Sequence, residues 1–310
     1  MSRPAPRPAS RPAPREVVLI LGNPRSGSTL LGAMLGAHSQ AAFLGEMNRY
    51  PEVLRALRGP GPRARTCLIC EGACPVWDAA VPAGFARRYG RAARLGAAVP
   101  FGRGFYGTLF EATGARVLVD SSKTAAWAAR RLAERRDWRA ARAHLVLITR
   151  DGRGTLASWM RKRPGAGADA LAERWAGNVR DVLAAHAAFD PARRAHVRYE
   201  DLVADPDAAL AGLCAALDLP FEPGMAAYWR REHHVFAGNF GTLSLIARWR
   251  HEAGLRGPPA LEVARDQSLY REAGYAVFDD QRWRDELSAA DLAAFERRAG
   301  ALNRALGHGG

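Results

Sequence analysis

Lysine is almost missing from these 310 residues: Lys123 and Lys162 are the only two, so 43 of the 45 basic side chains are arginine. The formal charge of +14 therefore comes from scattered arginines, and no compact basic run interleaved with aromatics is present. That argues against a nucleic-acid surface while leaving a general preference for polyanionic ligands. The wealth of Arg, Ala, Gly and Pro reads as the codon bias of a GC-rich genome. Long apolar runs are missing too. The longest uncharged stretch, Ser26 to Gly45, carries Ser, Thr, His and Gln throughout and reads as loop, helix and strand, so no membrane span is expected. Residues 1–15 alternate Arg, Pro and Ala with five prolines and no apolar centre. They are predicted to be a disordered tail, not a signal peptide, with the protein remaining in the cytoplasm.

Cysteine is scarce, at four. Cys214 lies in an Ala/Leu-rich helical stretch and reads as core. Cys67, Cys70 and Cys74 fall in a Gly/Pro/Arg-rich insert at about 59–78, with a spacing open to several readings: an inert or disulfide-forming lid loop, a metal site lacking a fourth ligand, or a redox pair. No finger-like His or Cys pair follows, and the adjacent His233 and His234, without a carboxylate at helical spacing, read as structural. The site is therefore expected to need no metal.

Hydrophobic content of 48% is enough for one large core, read as a single domain over 16–308. Its organising stretch is Val17-Val-Leu-Ile-Leu-Gly-Asn-Pro-Arg-Ser-Gly-Ser-Thr29, an aliphatic run that stops at Gly22, a polar turn, and then an amphipathic segment. A β-branched aliphatic run is what a parallel strand covered on both faces requires. Glycines at 22 and 27 let backbone N–H groups close around an anion at the positive end of the next helix. The spacing Gly22-x4-Gly27-Ser28-Thr29 fits the phosphate loop of nucleotide triphosphatases except that Ser28 replaces the lysine reaching the β- and γ-phosphates.

Two more strand–turn–helix units follow, at Arg116–Thr124 and Leu145–Trp159, and a shorter one at His196–Leu202. Alternation of strands and helices predicts an α/β fold of three layers with a mostly parallel sheet, whose ligands gather at the carboxyl edge. Glu46, at the end of Ala41–Gly45, is either delivered to that edge or is a solvated carboxylate at a helix start. Residues 233–249 read as irregular, and the chain's ending at 288–306 as helical.

Pro24-Arg25-Ser26-Gly27-Ser28-Thr29-Leu30-Leu31 resembles the 5′-phosphosulfate loop of sulfotransferases that use 3′-phosphoadenosine 5′-phosphosulfate (PAPS). Arg150 and Ser158, eight residues apart across a strand end and a helix, resemble the pair that grips the 3′-phosphate in that family. An arginine fork and a hydroxyl suit a dianionic phosphomonoester. Lys123-Thr124 resembles the strand-end lysine that contacts the transferring group, Tyr199-Glu-Asp-Leu the segment beside the nucleotide, and Cys74-Pro-Val-Trp77 the end of a cysteine-bearing insert. The resemblance covers roughly 16–285. It implies transfer of a sulfuryl group from PAPS to a hydroxyl or amine of a small molecule or carbohydrate, with 3′-phosphoadenosine 5′-phosphate (PAP) as product.

By that resemblance Arg25, Ser26, Gly27, Ser28, Thr29, Arg150, Ser158 and Tyr199 bind the donor, while Glu46, Lys123 and Arg25 serve catalysis. Two departures stand out. The catalytic histidine of the cytosolic small-molecule enzymes, two residues after the lysine, is here Ala125, which leaves Glu46 or, in reserve, His38 as base. The basic loop expected to close over the 3′-phosphate lacks its arginine after Gly238-Asn239, with Arg248 the nearest substitute. Competing readings are a P-loop kinase or NTPase and a basic anion-binding protein.

Overall fold

The computed structural model of the protein describes residues 14–50, 67–70, 73–89, 104–139, 141–255 and 268–309. All but the last two residues of the expected tail at 1–15, and much of the insert at 59–78, lie outside them.

Five strands form one parallel sheet. β1 (Arg15–Gly22), β2 (Ala41–Gly45), β3 (Val117–Lys123), β4 (Ala141–Thr149) and β5 (Arg194–Arg198) lie in the order β2-β3-β1-β4-β5. The central strand β1 is the sequence's aliphatic run, and Val17 to Leu21 are each at most 2% exposed. Such burial follows from covering both faces of the strand. Helix α1 (Ser28–Gly36) packs on β1, β2 and β3. Across the sheet lie α2 (Ala125–Leu132) and α3 (Ala168–Ala187), which pack on one another and on β1, and on β3 and β4 respectively.

Gly32 and Gly36 let α1 approach β2, since a Cβ at either would come within 2.4 Å of Phe43. Arg131 and Asp137 pair fully buried beneath Phe105, Tyr106 and Trp127, so neither charge is left uncompensated.

The chain first steps from β1 outward to β2 and β3, then returns across β1 to β4 and β5. Reversal of direction between β1 and β4 opens a crevice at their carboxyl ends, where loops of an open α/β sheet diverge to make room for a ligand.

One expectation is corrected. The irregular stretch proposed for 233–249 is irregular only to Asn239, and Phe240–Glu252 is a helix, α4. Asn239 starts it by accepting a hydrogen bond from the Thr242 amide on its side chain. Leu243, Leu245 and Ile246 then bury its inner face. Among the described residues no helix is long and apolar enough to cross a membrane.

Candidate functional site

A cleft of about 450 Å³ occupies the crevice. Its floor is the loop between β1 and α1. The Ser26 amide donates to Asn23 O (3.1 Å) to close the turn, and Arg25 and Gly27 take left-handed φ values of 79° and 91°. Gly27 is required twice over, because a Cβ there would also meet Tyr199 Cδ2 at 2.5 Å. Gly22 is equally constrained, its Cβ position lying 2.7 Å from Ile148 O. Helix α1 begins with no side-chain cap and no acidic residue in its first turn. An anion in the cleft would suit both its first amides and the positive end of its dipole. Ser26 is buried, and among the described residues its Oγ has no hydrogen-bond partner.

The second wall joins two distant stretches of sequence. Arg25 Nε donates to Ser158 Oγ at 2.7 Å, and Arg150 donates through one terminal nitrogen to Arg25 O (3.3 Å) and through the other to Asp280 O (2.8 Å). The Arg150 guanidinium lies 4.2 Å over the Tyr199 ring. Stacking fixes the plane of the fork, and with it the direction of its donors. Tyr199 donates its hydroxyl to Phe278 O at 3.1 Å, and burial pushes that hydroxyl's pKa up, so it stays a neutral donor.

The third wall holds Glu46 and Lys123. Lys123 closes β3 with a left-handed φ of 70°, is only 9% exposed, and donates from Nζ to Glu46 Oε1 at 2.5 Å. Burial pushes the Lys123 pKa down, with the Glu46 charge pulling the other way. Glu46 is set by its backbone: Gly45 turns with φ 89° at a point where a Cβ would lie 2.2 Å from Ala237 O, and that same carbonyl accepts the Glu46 amide at 3.0 Å. The Asn48 amide donates to Ser122 Oγ at 3.0 Å, fastening the following turn to β3.

Arg25, Gly27, Ser28, Thr29, Glu46, Lys123, Arg150, Ser158 and Tyr199 thus all line one cleft. Ser26 sits just behind it. Thr29 also accepts the Asn239 amide on Oγ1 at 3.1 Å. His38 is elsewhere, beyond the far end of α1, with Nε2 2.9 Å from Pro220 O and Nδ1 accepting the Gln40 amide. Arg248 is turned to Glu252 and the Tyr275 ring and does not line the cleft. Residues the motifs did not single out complete the walls: Asn239, Tyr270, Phe278 and Asp280. Asp280 carries its own cation, Arg282, which together with Arg150 and Arg161 holds its pKa below the usual range despite burial.

Asp120 sits where a triphosphatase keeps a magnesium-binding aspartate, but it faces inward. It is 1% exposed and accepts from Tyr106 Oη (2.7 Å), Trp127 Nε1 (2.8 Å) and the Ser122 amide (2.9 Å). Its lone pairs are spoken for within the core, and burial pushes its pKa up. With Ser28 in the lysine position, neither element of triphosphate chemistry is in place.

Comparison with known proteins agrees with this geometry. A family model described as the sulfotransferase family matches residues 17–223, more than half of the chain. Among solved structures, the sulfotransferase domain from the curacin biosynthetic pathway is similar at 21% identity, over 93% of this chain and 97% of that one, with a TM-score of 0.54. The sulfotransferase domain of the Synechococcus PCC 7002 olefin synthase is similar at 17% identity, over 95% and 96% of the two chains, with a TM-score of 0.53. These two share the fold. No curated protein matches the chain.

Proposed function

Because the chain belongs to the sulfotransferase family, we propose that it moves a sulfuryl group from PAPS to a hydroxyl, or alternatively an amine, of a small molecule or carbohydrate. The observation that carries the proposal is the cleft itself, in which an uncapped helix start, the group Arg25, Arg150 and Ser158, and a lysine–carboxylate pair face one space. The first two suit the donor's phosphates and the third the reacting sulfuryl group and acceptor. The loop amides and Arg25 suit the 5′-phosphate, Arg150 and Ser158 the 3′-phosphate, and the Tyr199 side the nucleoside between them. The Ser26 Oγ, without a partner among the described residues, and the Cβ-free positions at Gly22 and Gly27 support an anion close to the backbone.

In the reaction the acceptor oxygen attacks sulfur in line while the bond from sulfur to the phosphate oxygen breaks. Catalysis of this kind rests on positioning and on cations aimed at oxygens that gain charge. Lys123 serves the transferring oxygens and Arg25 the departing phosphate. Glu46 takes the acceptor's proton through the oxygen not held by Lys123. Lys123 thereby has a second task, since its bond to Oε1 fixes the carboxylate's orientation. His38, turned away to Pro220, has no part in the transfer.

Incubation with PAPS carrying labelled sulfur and a panel of hydroxyl and amine acceptors tests the proposal. Label in an acceptor with stoichiometric release of PAP supports it. No transfer to any acceptor, together with no binding of PAP, overturns it.

A further inference from the structure

Cys67, Cys70 and Cys74 do not form an isolated loop cluster. His234, far along the chain, completes a group of four whose ligand atoms all lie within 4.8 Å of one another. Cys70 Sγ and Cys74 Sγ are each 3.4 Å from His234 Nδ1. Tetrahedral zinc, with bonds of about 2.3 Å to sulfur and 2.0 Å to nitrogen, sets neighbouring ligand atoms about 3.5–3.8 Å apart. The cluster is within a small adjustment of that figure. We propose that these four residues hold a structural zinc ion that clips the cysteine insert to the segment leading into the cleft.

The surroundings of the four groups are those of a metal centre. The Cys70 amide donates to Cys67 Sγ and the Trp77 amide to Cys74 Sγ, each at 3.4 Å, as befits sulfurs carrying negative charge. His234 turns Nδ1 to the sulfurs and leaves Nε2 3.5 Å from Glu232 Oε1, the arrangement by which a carboxylate orients a ligating imidazole. Its carbonyl accepts Trp77 Nε1 at 2.7 Å. A divalent ion is held by the three cysteines as thiolates, their protons released on binding. Three sulfurs and one nitrogen select zinc, and four protein ligands leave no open position for catalysis.

The neighbouring His233 is separate. It is 3% exposed with Nε2 2.9 Å from Tyr228 O, so the pair of histidines divides between core and cluster. What the clip holds is the segment 234–239. The Leu68 amide donates to Val235 O at 2.8 Å, the Phe236 amide to Leu44 O at 3.0 Å, and Ala237 O receives the Glu46 amide. Metal at the cluster therefore stiffens the backbone that sets Glu46.

The test is metal analysis of the full chain purified under reducing conditions without chelator. About one zinc per chain is expected. Replacement by Co²⁺ should give the strong visible bands of a tetrahedral site with thiolate-to-metal charge transfer, and stripping the metal should lower the melting temperature. Cys74→Ser should lose the metal, while Cys214→Ser, in a core cysteine remote from the cluster, should keep it. The wild-type stoichiometry and cobalt spectrum stand even if Cys74→Ser fails to fold. Substoichiometric zinc that does not rise after incubation with zinc and gel filtration overturns the proposal. So does a disulfide within the cluster in reduced preparations, or a cobalt spectrum without charge transfer. None of these readings depends on sulfuryl transfer.

Discussion

Charge gathers at both ends of the sheet, and the two ends handle it differently. At the amino end Glu16, 1% exposed, takes Arg142 Nε and a terminal nitrogen at 3.0 and 2.7 Å on one oxygen and lies 2.9 Å from His144 Nε2 on the other. Both carboxylate oxygens of Glu16 are thus held by side chains of β4. At the carboxyl end Arg25, Lys123 and Arg150 line a cleft, two of them with left-handed backbones, beside a buried Ser26 Oγ that has no partner among the described residues. Non-glycine residues hold such conformations at a cost of order 1–3 kcal/mol each. The contrast separates charge paired along ordinary strands from charge gathered round a cleft: the second comes with left-handed backbones and a helix start that has no side-chain cap.

The comparison breaks hardest at Glu46. A positioned base contributes about 10²–10⁴ in rate, so Glu46→Gln should lower kcat by that order with PAP affinity unchanged. Near-normal turnover would return Glu46 to a role as Lys123's counter-ion alone. Lys123→Met should lower kcat by roughly 10²–10³ with little change in donor affinity, as for a cation whose partner charge develops in the transition state. Since burial pushes the Lys123 pKa below the ordinary lysine value of 10.5, its charge is lost sooner as pH rises. Wild-type turnover should therefore fall on the alkaline side at a pH below that value, and the residual turnover of Lys123→Met should lack the same limb.

Arg150→Ala and Ser158→Ala act on binding. Each removes a hydrogen bond to a charged group worth about 1.5–3 kcal/mol, or about 10- to 150-fold in PAP affinity by calorimetry. Adenosine 5′-phosphosulfate, which lacks the 3′-phosphate, should lose far less, and an equal loss would contradict the assignment.

Glu16→Gln, at the other end of the strands, should cost about 1–3 kcal/mol of stability in denaturant unfolding and leave kcat of the folded fraction unchanged. Burial raises the Glu16 pKa, but its bonds to His144 and Arg142 more than offset this and hold it below the ordinary carboxylate value. The stabilisation is thus present at neutral pH and is lost as pH falls through the lowered pKa. Glu16→Gln should show a shallower loss on the acid side. A loss of turnover in that variant would mean the two ends are coupled.

Much of the fold was legible because local chemistry decided it. The aliphatic run Val17 to Leu21 could only be a covered strand, and Gly22 and Gly27 could only mark a tight turn. The cleft lining was legible where residues stand at or just after strand ends, at Arg25, Lys123 and Arg150, since strand order brings those ends to one edge, and at Ser158 through its spacing from Arg150 along the next helix. Legibility failed where distant segments meet. His234 joins Cys67, Cys70 and Cys74 from the opposite side of the chain, and no spacing rule anticipates that. Arg248 was a natural candidate beside Gly238-Asn239, yet the Asn239 cap starts a helix that carries it off to Glu252. Tyr270 and Asp280 lie beyond the region matched by the family and carry no motif, although Gly241 has room for no Cβ because Tyr270 packs 2.1 Å from where it would be. His38 lies outside the cleft for a plain reason: a helix that starts at the loop ends far from it.

The most direct test of the account is a thermal-shift comparison of PAP with ATP–Mg²⁺. The loop without its lysine, Arg150 and Ser158 in the cleft wall and the inward-facing Asp120 predict stabilisation by PAP and none by ATP–Mg²⁺. Stabilisation by ATP–Mg²⁺ with no response to PAP would contradict it.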